Sequence, residues 1–241
     1  MLTILNYGKH VEVGMKVPMG HDCIDKLLGG GFEAGAITQI FGEAGSGKTN
    51  MCIVLAGAII RSGKKVIYID SEGLSRDRIQ QVFGADYDAM IKSLLIFEPF
   101  DFEEQENVIE KAVGLAMKNE DIGLLILDSA TGHYRVELAK DLERTERRSF
   151  VAQITAMLTL CRRRMIPIIL TSQVYTDIDR NEYKPLGGHV LRHNCKVILK
   201  LNRDEDIPGR REAVLMKHRS LAEGGRAEFW LTGDGIKCGP Q

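Results

Sequence analysis

The sequence predicts an α/β fold in which a mainly parallel, twisted sheet is flanked by helices. From residue 37 to residue 170, short apolar runs rich in β-branched residues alternate with longer segments of helical periodicity. This alternation is typical of crossover helices that cover both faces of a parallel sheet. After Gln173 the pattern changes to a polar loop that contains Gly187 and Gly188. The apolar runs beyond this loop follow one another without helical segments, which predicts antiparallel strands.

Composition and charge limit the class of protein to which the chain can belong. The 241 residues are 44% hydrophobic and 27% charged, which excludes a disordered, collagen-like or small disulfide-rich chain. Because 32 basic residues face 33 acidic ones, any binding of nucleic acid has to come from a local patch. The longest apolar run, 51–60, is about half of the roughly 20 residues that cross a bilayer. With no secretory signal at the N-terminus, the expected location is cytoplasmic and the expected membrane contact is none.

The distribution of prolines and cysteines bears on domain organisation. The six prolines are dispersed and no linker-like tract occurs, so we expect a short N-terminal extension, 1–18, and a single core domain, 19–241. The five cysteines are scattered and form no CxxC pair, which predicts buried or incidental thiols. These cysteines are Cys23, Cys52, Cys161, Cys195 and Cys238.

The individual elements follow from period and from end signals. The predicted strands are 37–41, 66–70, 124–128 and 166–170, followed by the later runs 196–201, 213–217 and 227–231. The first helix covers 49–60 and is followed by Gly63, a plausible C-terminal cap. A second helix begins at Asp101, which forms a capping-box pattern with Glu104. A third has apolar residues three and four apart from Phe150 to Cys161, a spacing that predicts a core-facing stripe.

The strongest functional signal is a GxxxxGK[ST] segment between the first predicted strand and the first predicted helix. It consists of Gly42, Glu43, Ala44, Gly45, Ser46, Gly47, Lys48 and Thr49. Glycines let such a loop turn its backbone N–H groups and the helix N-terminus towards a polyphosphate. Lys48 adds a positive charge near the β and γ oxygens, and Thr49 offers a hydroxyl to Mg²⁺. The segment therefore predicts binding of a nucleoside triphosphate with magnesium.

A second metal-supporting group is predicted at Asp128. Four apolar residues, 124–127, precede this carboxylate at the end of a predicted parallel strand. The carboxyl ends of parallel strands share one edge of the sheet, so Asp128 is expected to lie near the GxxxxGK[ST] loop and to hold Mg²⁺ through water.

Hydrolysis requires a group that orients water and a group that senses the γ-phosphate. Glu72 follows the strand at 66–70 and suits the first role. Gln173 follows the strand at 166–170 and could donate an amide hydrogen bond to the γ-phosphate. Together with Lys48, these two residues form the predicted catalytic set.

At this point the sequence resembles the RecA/RadA recombinase family, over about residues 19 to 236. The segments that carry the resemblance are Met19 to Gly35, Asp70-Ser71-Glu72-Gly73, Leu127-Asp128-Ser129-Ala130-Thr131 and Thr171-Ser172-Gln173. Within the family, this chain is similar to the short recombinase paralogues of archaea in its length and in its triplet Lys217-His218-Arg219.

The resemblance implies a RecA-type P-loop NTPase core that uses ATP and Mg²⁺. It also implies an accessory of DNA repair and homologous recombination that binds single-stranded or branched DNA weakly and hydrolyses ATP weakly. Such a protein would assist a RadA-type recombinase and could associate with itself. Full-length recombinases carry an N-terminal helical domain and a Phe-x-x-Ala linker, for which 18 residues leave no room.

The resemblance also implies roles for two arginines. Arg78 is similar to an arginine that stacks on the adenine ring, although a one-residue gap makes Arg76 a competing choice. Arg135 is similar to the arginine that opens the first DNA-binding loop. The second DNA-binding loop would be 175–188, where several acidic residues disfavour tight binding of a single strand.

The region 192–219 has eight basic and four acidic residues, so it is where the composition favours contact with DNA. A solvated strand face explains the same composition. Within the region, Lys217, His218 and Arg219 could contact DNA phosphates, or could reach ATP on an adjacent subunit in the manner of an arginine finger. The sequence does not decide between these readings.

Two other functions remain open at this stage. One is an active recombinase that forms filaments and exchanges strands. The other is an ATP-switched regulatory module of the RecA superfamily that binds no DNA. The recombinase-like segment 128–131 and Arg135 favour a DNA-related role over the second alternative.

Overall fold

A computed structural model of the chain describes residues 15–138, 143–177 and 182–239. Its strands are β1 (Lys16–Val17), β2 (Phe32–Glu33), β3 (Ile37–Gly42), β4 (Lys65–Asp70), β5 (Leu94–Phe97), β6 (Ile122–Asp128), β7 (Ile168–Ser172), β8 (Val174–Asp177), β9 (Glu182–Pro185), β10 (Val197–Arg203), β11 (Arg210–Lys217), β12 (Arg226–Thr232) and β13 (Gly235–Lys237).

Most of the helices lie between the successive parallel strands from β3 to β7. The helices are α1 (Asp22–Leu27), α2 (Lys48–Arg61), α3 (Arg76–Phe83), α4 (Tyr87–Met90), α5 (Phe102–Lys118), α6 (Gly132–Leu138), α7 (Glu143–Arg164) and α8 (Gly188–Asn194). Two short 3-10 turns, 84–86 and 91–93, flank α4.

Nine strands form one sheet in the order β13-β12-β11-β10-β3-β7-β6-β4-β5. The strands from β10 to β5 in this order pair in parallel, whereas β11, β12 and β13 continue the sheet antiparallel. The predicted fold class, including the antiparallel C-terminal strands, is confirmed.

Both faces of the parallel strands are buried. On one face, Tyr68 and Ile126 pack with Met51 of α2. On the other face, the alternate residue Ile67 packs with Ile109 of α5 and Ile154 of α7. This arrangement explains why these strands are nearly continuous apolar runs rather than alternating ones.

The predicted end signals are present. The side chain of Asp101 accepts a hydrogen bond of 2.8 Å from the backbone N–H of Glu104, at the start of α5. Gly63 follows α2 with φ +86°, a left-handed conformation that favours glycine. Along α7, the predicted stripe from Phe150 to Cys161 faces the core, except that Val151 is 40% exposed.

The segment after Gln173 differs from the predicted polar loop. Strands β8 and β9 form an antiparallel hairpin outside the main sheet, and α8 follows them. The helix has seven residues and buries Leu191, so it lacks the repeated apolar spacing that predicts a helix. The left-handed Gly187, with φ +87°, provides its N-terminal cap position.

The prediction that all five cysteines are thiols was wrong for one pair. Cys23 in α1 and Cys238, just after β13, form a disulfide across 215 residues of sequence. The fold brings these distant segments together, which scattered spacing could not reveal. Cys52, Cys161 and Cys195 are buried thiols, as expected.

Candidate nucleotide site

The GxxxxGK[ST] loop connects β3, in the middle of the sheet, to the N-terminus of α2. The ammonium group of Lys48 donates hydrogen bonds to the carbonyl oxygens of Gly42, at 2.9 Å, and Glu43, at 3.0 Å. The lysine therefore folds back over its own loop, where a triphosphate would offer it competing acceptors.

Two positions in the phosphate loop show why glycine is needed there. A Cβ atom at Gly42 would lie 2.3 Å from the carbonyl oxygen of Leu201, so β10 leaves no room for a side chain. Gly47, which caps α2, has φ +101°, a conformation that L side chains rarely adopt.

Asp128 ends β6 with its carboxylate held by hydroxyl groups. Tyr68 donates to one oxygen at 2.7 Å, and Thr171 donates to the other. The hydroxyl group of Thr49 also acts on this carboxylate and lowers its pKa, so the two residues predicted to support Mg²⁺ are neighbours. The structure thus brings the two predicted metal-supporting residues together.

Burial controls the protonation of Asp128 and Lys48. Loss of solvent raises the pKa of the Asp128 carboxyl group, while its hydroxyl donors, led by Thr171, oppose the shift. Loss of solvent also lowers the pKa of Lys48, against the opposing effect of the nearby carboxylates of Glu72 and Asp128. Both groups are therefore poorly solvated in their charged forms. A bound cation would compensate the charge of Asp128, and a bound polyphosphate would compensate the charge of Lys48.

Glu72, Gln173 and Arg135 form a chain of side chains at the same edge of the sheet. The amide nitrogen of Gln173 donates to the carboxylate of Glu72 at 3.0 Å. The guanidinium group of Arg135 donates to the amide oxygen of Gln173 at 3.4 Å. Two of the three predicted catalytic residues, Glu72 and Gln173, and one predicted DNA-binding residue, Arg135, are thus in direct contact.

The turn that carries Glu72 is fixed by a buried carboxylate. Asp70 accepts hydrogen bonds from the backbone N–H groups of Glu72, at 3.1 Å, Gly73, at 3.0 Å, and Leu74. Ser71 joins the same turn to β6, since its hydroxyl group donates to the carbonyl oxygen of Ser129 at 2.9 Å. Asp70 therefore sets the direction in which Glu72 leaves β4.

Arg78 lies in α3 with its guanidinium group held from two sides. It donates to the side chain of Asn50 in α2 and to the carbonyl oxygens of Gly233, at 2.9 Å, and Gly235, at 3.2 Å. Arg76, the competing residue, donates instead to the hydroxyl group of Tyr87 at 3.1 Å. Arg78 thus joins the helix that follows the phosphate loop to the β12–β13 turn.

The triplet Lys217-His218-Arg219 makes contacts within the chain. Lys217 donates to the carbonyl oxygens of Arg192, at 2.6 Å, and Cys195, at 2.8 Å. The side chain of His218 has 0% exposure, so in this arrangement it offers no surface to a DNA phosphate. Arg219 is 43% exposed and forms an ion pair with the buried carboxylate of Glu33.

Comparison with known proteins places this geometry in a family. A family model described as Rad51 matches residues 11–238. The chain belongs to the Rad51 family. The predicted resemblance to the RecA/RadA recombinases is therefore confirmed.

Within the Rad51 family, the chain is similar to archaeal proteins named DNA repair and recombination protein RadB. The protein from Methanococcoides burtonii is 45% identical over 89% of this chain and 94% of its own length. The protein from Thermoplasma volcanium is 41% identical over 92% of each chain. A structure titled "Crystal structure of the RadB recombinase" aligns with a TM-score of 0.80, at 34% identity, over 93% of this chain and 100% of that chain. These similarities confirm the predicted resemblance to the short recombinase paralogues of archaea, which are the RadB proteins.

The residues of this Rad51-family site suit ATP with Mg²⁺. The hydroxyl oxygen of Ser46, inside the phosphate loop, is buried and has no hydrogen-bond partner among the described residues. Within the described ranges, no cluster of three or more metal-ligating side chains occurs. A magnesium ion would therefore be held by Thr49 and Asp128 together with phosphate oxygens and water.

Sequence reasoning missed the residues that support this site. Tyr68 and Thr171 hold Asp128, Asp70 holds the Glu72 turn, and Arg211 of β11 reaches the phosphate loop. The available signal was a polar residue inside an otherwise apolar strand, as at Tyr68 and Thr171.

No described helix is long and apolar enough to cross a bilayer.

Proposed function

We propose that this Rad51-family protein binds Mg·ATP, hydrolyses it weakly, and contacts DNA in repair by homologous recombination. The observation that supports the proposal best is the convergence of Lys48, Asp128, Glu72 and Gln173 at neighbouring strand ends beside the phosphate loop. The names of similar proteins support the DNA repair context. We further propose a cytoplasmic accessory of a RadA-type recombinase.

In this proposal each side chain has a defined task. When bound, Mg²⁺ neutralises charge on the β- and γ-phosphates. Lys48 would exchange its carbonyl acceptors for phosphate oxygens, and Asp128 would help to hold Mg²⁺. Glu72 orients the attacking water, and Gln173 contacts the γ-phosphate. Arg78 lies at the adenine end of the site.

Weak turnover follows from the exposure of the reacting edge. Glu72 and its hydrogen bond to Gln173 lie at the surface, where water screens charge. Stabilisation of a transition state by fixed charges is strongest where water is excluded. A protomer alone therefore positions the reactants without enclosing them, and a neighbouring molecule would be needed to complete the enclosure.

DNA contact is proposed to begin next to the nucleotide site. Arg135 lies at the start of the first proposed DNA loop and contacts Gln173. The hairpin of β8 and β9 follows Gln173 directly and contains Tyr175. Tyr175 is 48% exposed, as a base-stacking residue requires. Arg219 remains a candidate for direct contact, whereas Lys217 and His218 would act by holding β11 in place.

Light scattering of the purified protein, with and without Mg·ATP and a DNA oligonucleotide, tests the proposal. An accessory that binds both ligands should form a discrete complex with DNA without long polymers. Large ATP-dependent polymers would favour the strand-exchanging recombinase. The absence of a DNA complex at low salt would favour the regulatory module and overturn the DNA part of the proposal.

A further inference from the structure

Arg211 of β11 makes a contact with the phosphate loop that the sequence did not indicate. Its Nε atom donates a hydrogen bond of 3.0 Å to the carbonyl oxygen of Gly45, which lies 166 positions earlier in the chain. Gly45 is at the tip of the loop and has φ +74°. An antiparallel strand added beside the parallel core thus holds the part of the loop that would enclose phosphate.

The guanidinium group of Arg211 is buried without a carboxylate partner. The residue is 9% exposed, and its second hydrogen bond goes to the carbonyl oxygen of Arg210 at 2.7 Å. Among the described residues no Asp or Glu forms an ion pair with it, whereas the adjacent Arg210 pairs with both Asp204 and Glu228. The two neighbouring arginines therefore differ in whether their charge is compensated.

The surroundings of Arg211 increase the cost of its charge. Burial, followed by the positive charge of Arg203, lowers the pKa of Arg211, and Asp204 only partly opposes this. A buried ion without a partner is destabilising unless another charge approaches it. Since the guanidinium group bonds to the tip of the phosphate loop, an anion bound in that loop is the charge best placed to compensate it.

We propose that Arg211 is an additional nucleotide-binding residue, which fixes the phosphate loop through Gly45 and supplies positive charge to the triphosphate. The inference rests on the proposed binding of ATP. It also separates Arg211 from the surrounding basic region, because a buried guanidinium group is not available to a DNA strand. Arg203 and Arg211 together make this side of the loop more positive than Lys48 alone would.

The variants R211M, R211K and R210M test the inference. R211M removes the charge and the Nε donor at similar length, R211K keeps the charge without the Nε donor, and R210M changes the adjacent arginine that does not touch the loop. Equilibrium titration with Mg·ATP and the ATP-induced rise in Tm are measured for each. Tm without nucleotide shows whether each variant folds.

We expect R211M to raise the Kd for ATP at least tenfold and to remove most of the ATP-induced rise in Tm. R211K should lie between R211M and the unchanged protein, and R210M should stay within twofold of the unchanged protein. If R211M does not fold, a threefold or greater loss in R211K supports the inference. If the ATP affinity of R211M equals that of R210M, the role of Arg211 is overturned while the proposed function stands. If only R211K folds, the same comparison is made between R211K and R210M. Absence of ATP binding by the unchanged protein would overturn the proposed function as well.

Discussion

The amide nitrogen of Gln173 lies 3.0 Å from a carboxylate oxygen of Glu72, although 101 positions separate the two residues. They follow β7 and β4, the two neighbours of β6 in the sheet, so their hydrogen bond spans the end of the strand that carries Asp128. A γ-phosphate that accepts the same amide hydrogen would release the carboxylate to bind water. The contact thus connects the proposed phosphate sensor to the proposed water-orienting group.

Replacing Glu72 by Gln should separate binding from hydrolysis. We expect E72Q to bind ATP with an affinity within about threefold of the unchanged protein, because the carboxylate does not hold the nucleotide. Release of inorganic phosphate should fall about a hundredfold or more, because a positioned general base contributes roughly 10²–10⁴-fold to the rate. The exposed variant E98Q serves as the control. Phosphate release by E72Q at the parental rate would assign Glu72 to structure.

Replacing Asp70 by Ala should disturb the Glu72 turn without reaching the nucleotide. Three backbone N–H groups would lose their acceptor. We expect the free energy of unfolding, measured by chemical denaturation, to fall by about 1–3 kcal/mol. Phosphate release should fall while ATP affinity changes little, and D70N, which keeps one acceptor oxygen, should be intermediate. Loss of stability with unchanged phosphate release would show that Asp70 does not position Glu72.

Stability should depend on pH through His218. Its Nδ1 atom accepts hydrogen bonds of 3.1 Å from the N–H groups of Ser220 and Leu221. Its Nε2 atom lies 3.3 Å from the ammonium group of Lys16 and 3.5 Å from the carboxylate of Glu33. Burial, followed by the nearby charges of Lys16 and Arg219, lowers its pKa from the ordinary value of 6.5, while Glu33 opposes this.

Because the folded pKa is the lower one, the unfolded chain binds more protons as the pH falls below about 6.5. The free energy of unfolding should therefore decrease from pH 7 to pH 5.5, and the decrease should be smaller in H218N, which keeps an acceptor near the Nδ1 position. Urea unfolding at several pH values measures the slope, with the exposed His189→Asn as the matched control. Equal slopes in H218N and the unchanged protein would contradict the assignment.

Arg135 should contribute to binding of single-stranded DNA through a phosphate contact. We expect R135A to lower the affinity and to reduce the magnitude of the log–log salt slope by about 0.7. Fluorescence anisotropy of a labelled oligonucleotide at several salt concentrations measures both quantities. R226A, on β12, is a control because this arginine pairs with Glu212 on the neighbouring strand. A slope that is the same in R135A and R226A would place the DNA contact elsewhere.

The parallel core could be predicted from the sequence because its strands are buried on both faces. Runs such as 122–128 are almost entirely apolar and end in a polar residue at one sheet edge, so their type and direction follow from composition. The phosphate loop and the positions of Asp128, Glu72 and Gln173 follow from the same rule. Strand β5 was missed because it is a four-residue edge strand with a half-exposed pattern.

The supporting contacts could not be predicted, because they depend on three-dimensional neighbours. Nothing at Arg211 in the sequence distinguishes it from Arg210, yet one faces the phosphate loop and the other faces two carboxylates. The triplet 217–219 was predicted to contact DNA or ATP because it is basic. In the fold, Lys217 donates a hydrogen bond to the carbonyl oxygen of Cys195 at the end of α8, and Arg219 forms an ion pair with Glu33. The Cys23–Cys238 pairing likewise depends on how the chain ends meet.

Isothermal titration of a nonhydrolysable ATP analogue, with Mg²⁺, into the unchanged protein and into K48A tests the central claim most directly. Lys48 is the positively charged group of the phosphate loop and has only loop carbonyl oxygens as hydrogen-bond acceptors in the described part of the chain. We expect one binding site per chain in the unchanged protein and no measurable binding in K48A. Equal affinity in the two proteins, or no binding in either, would contradict the account.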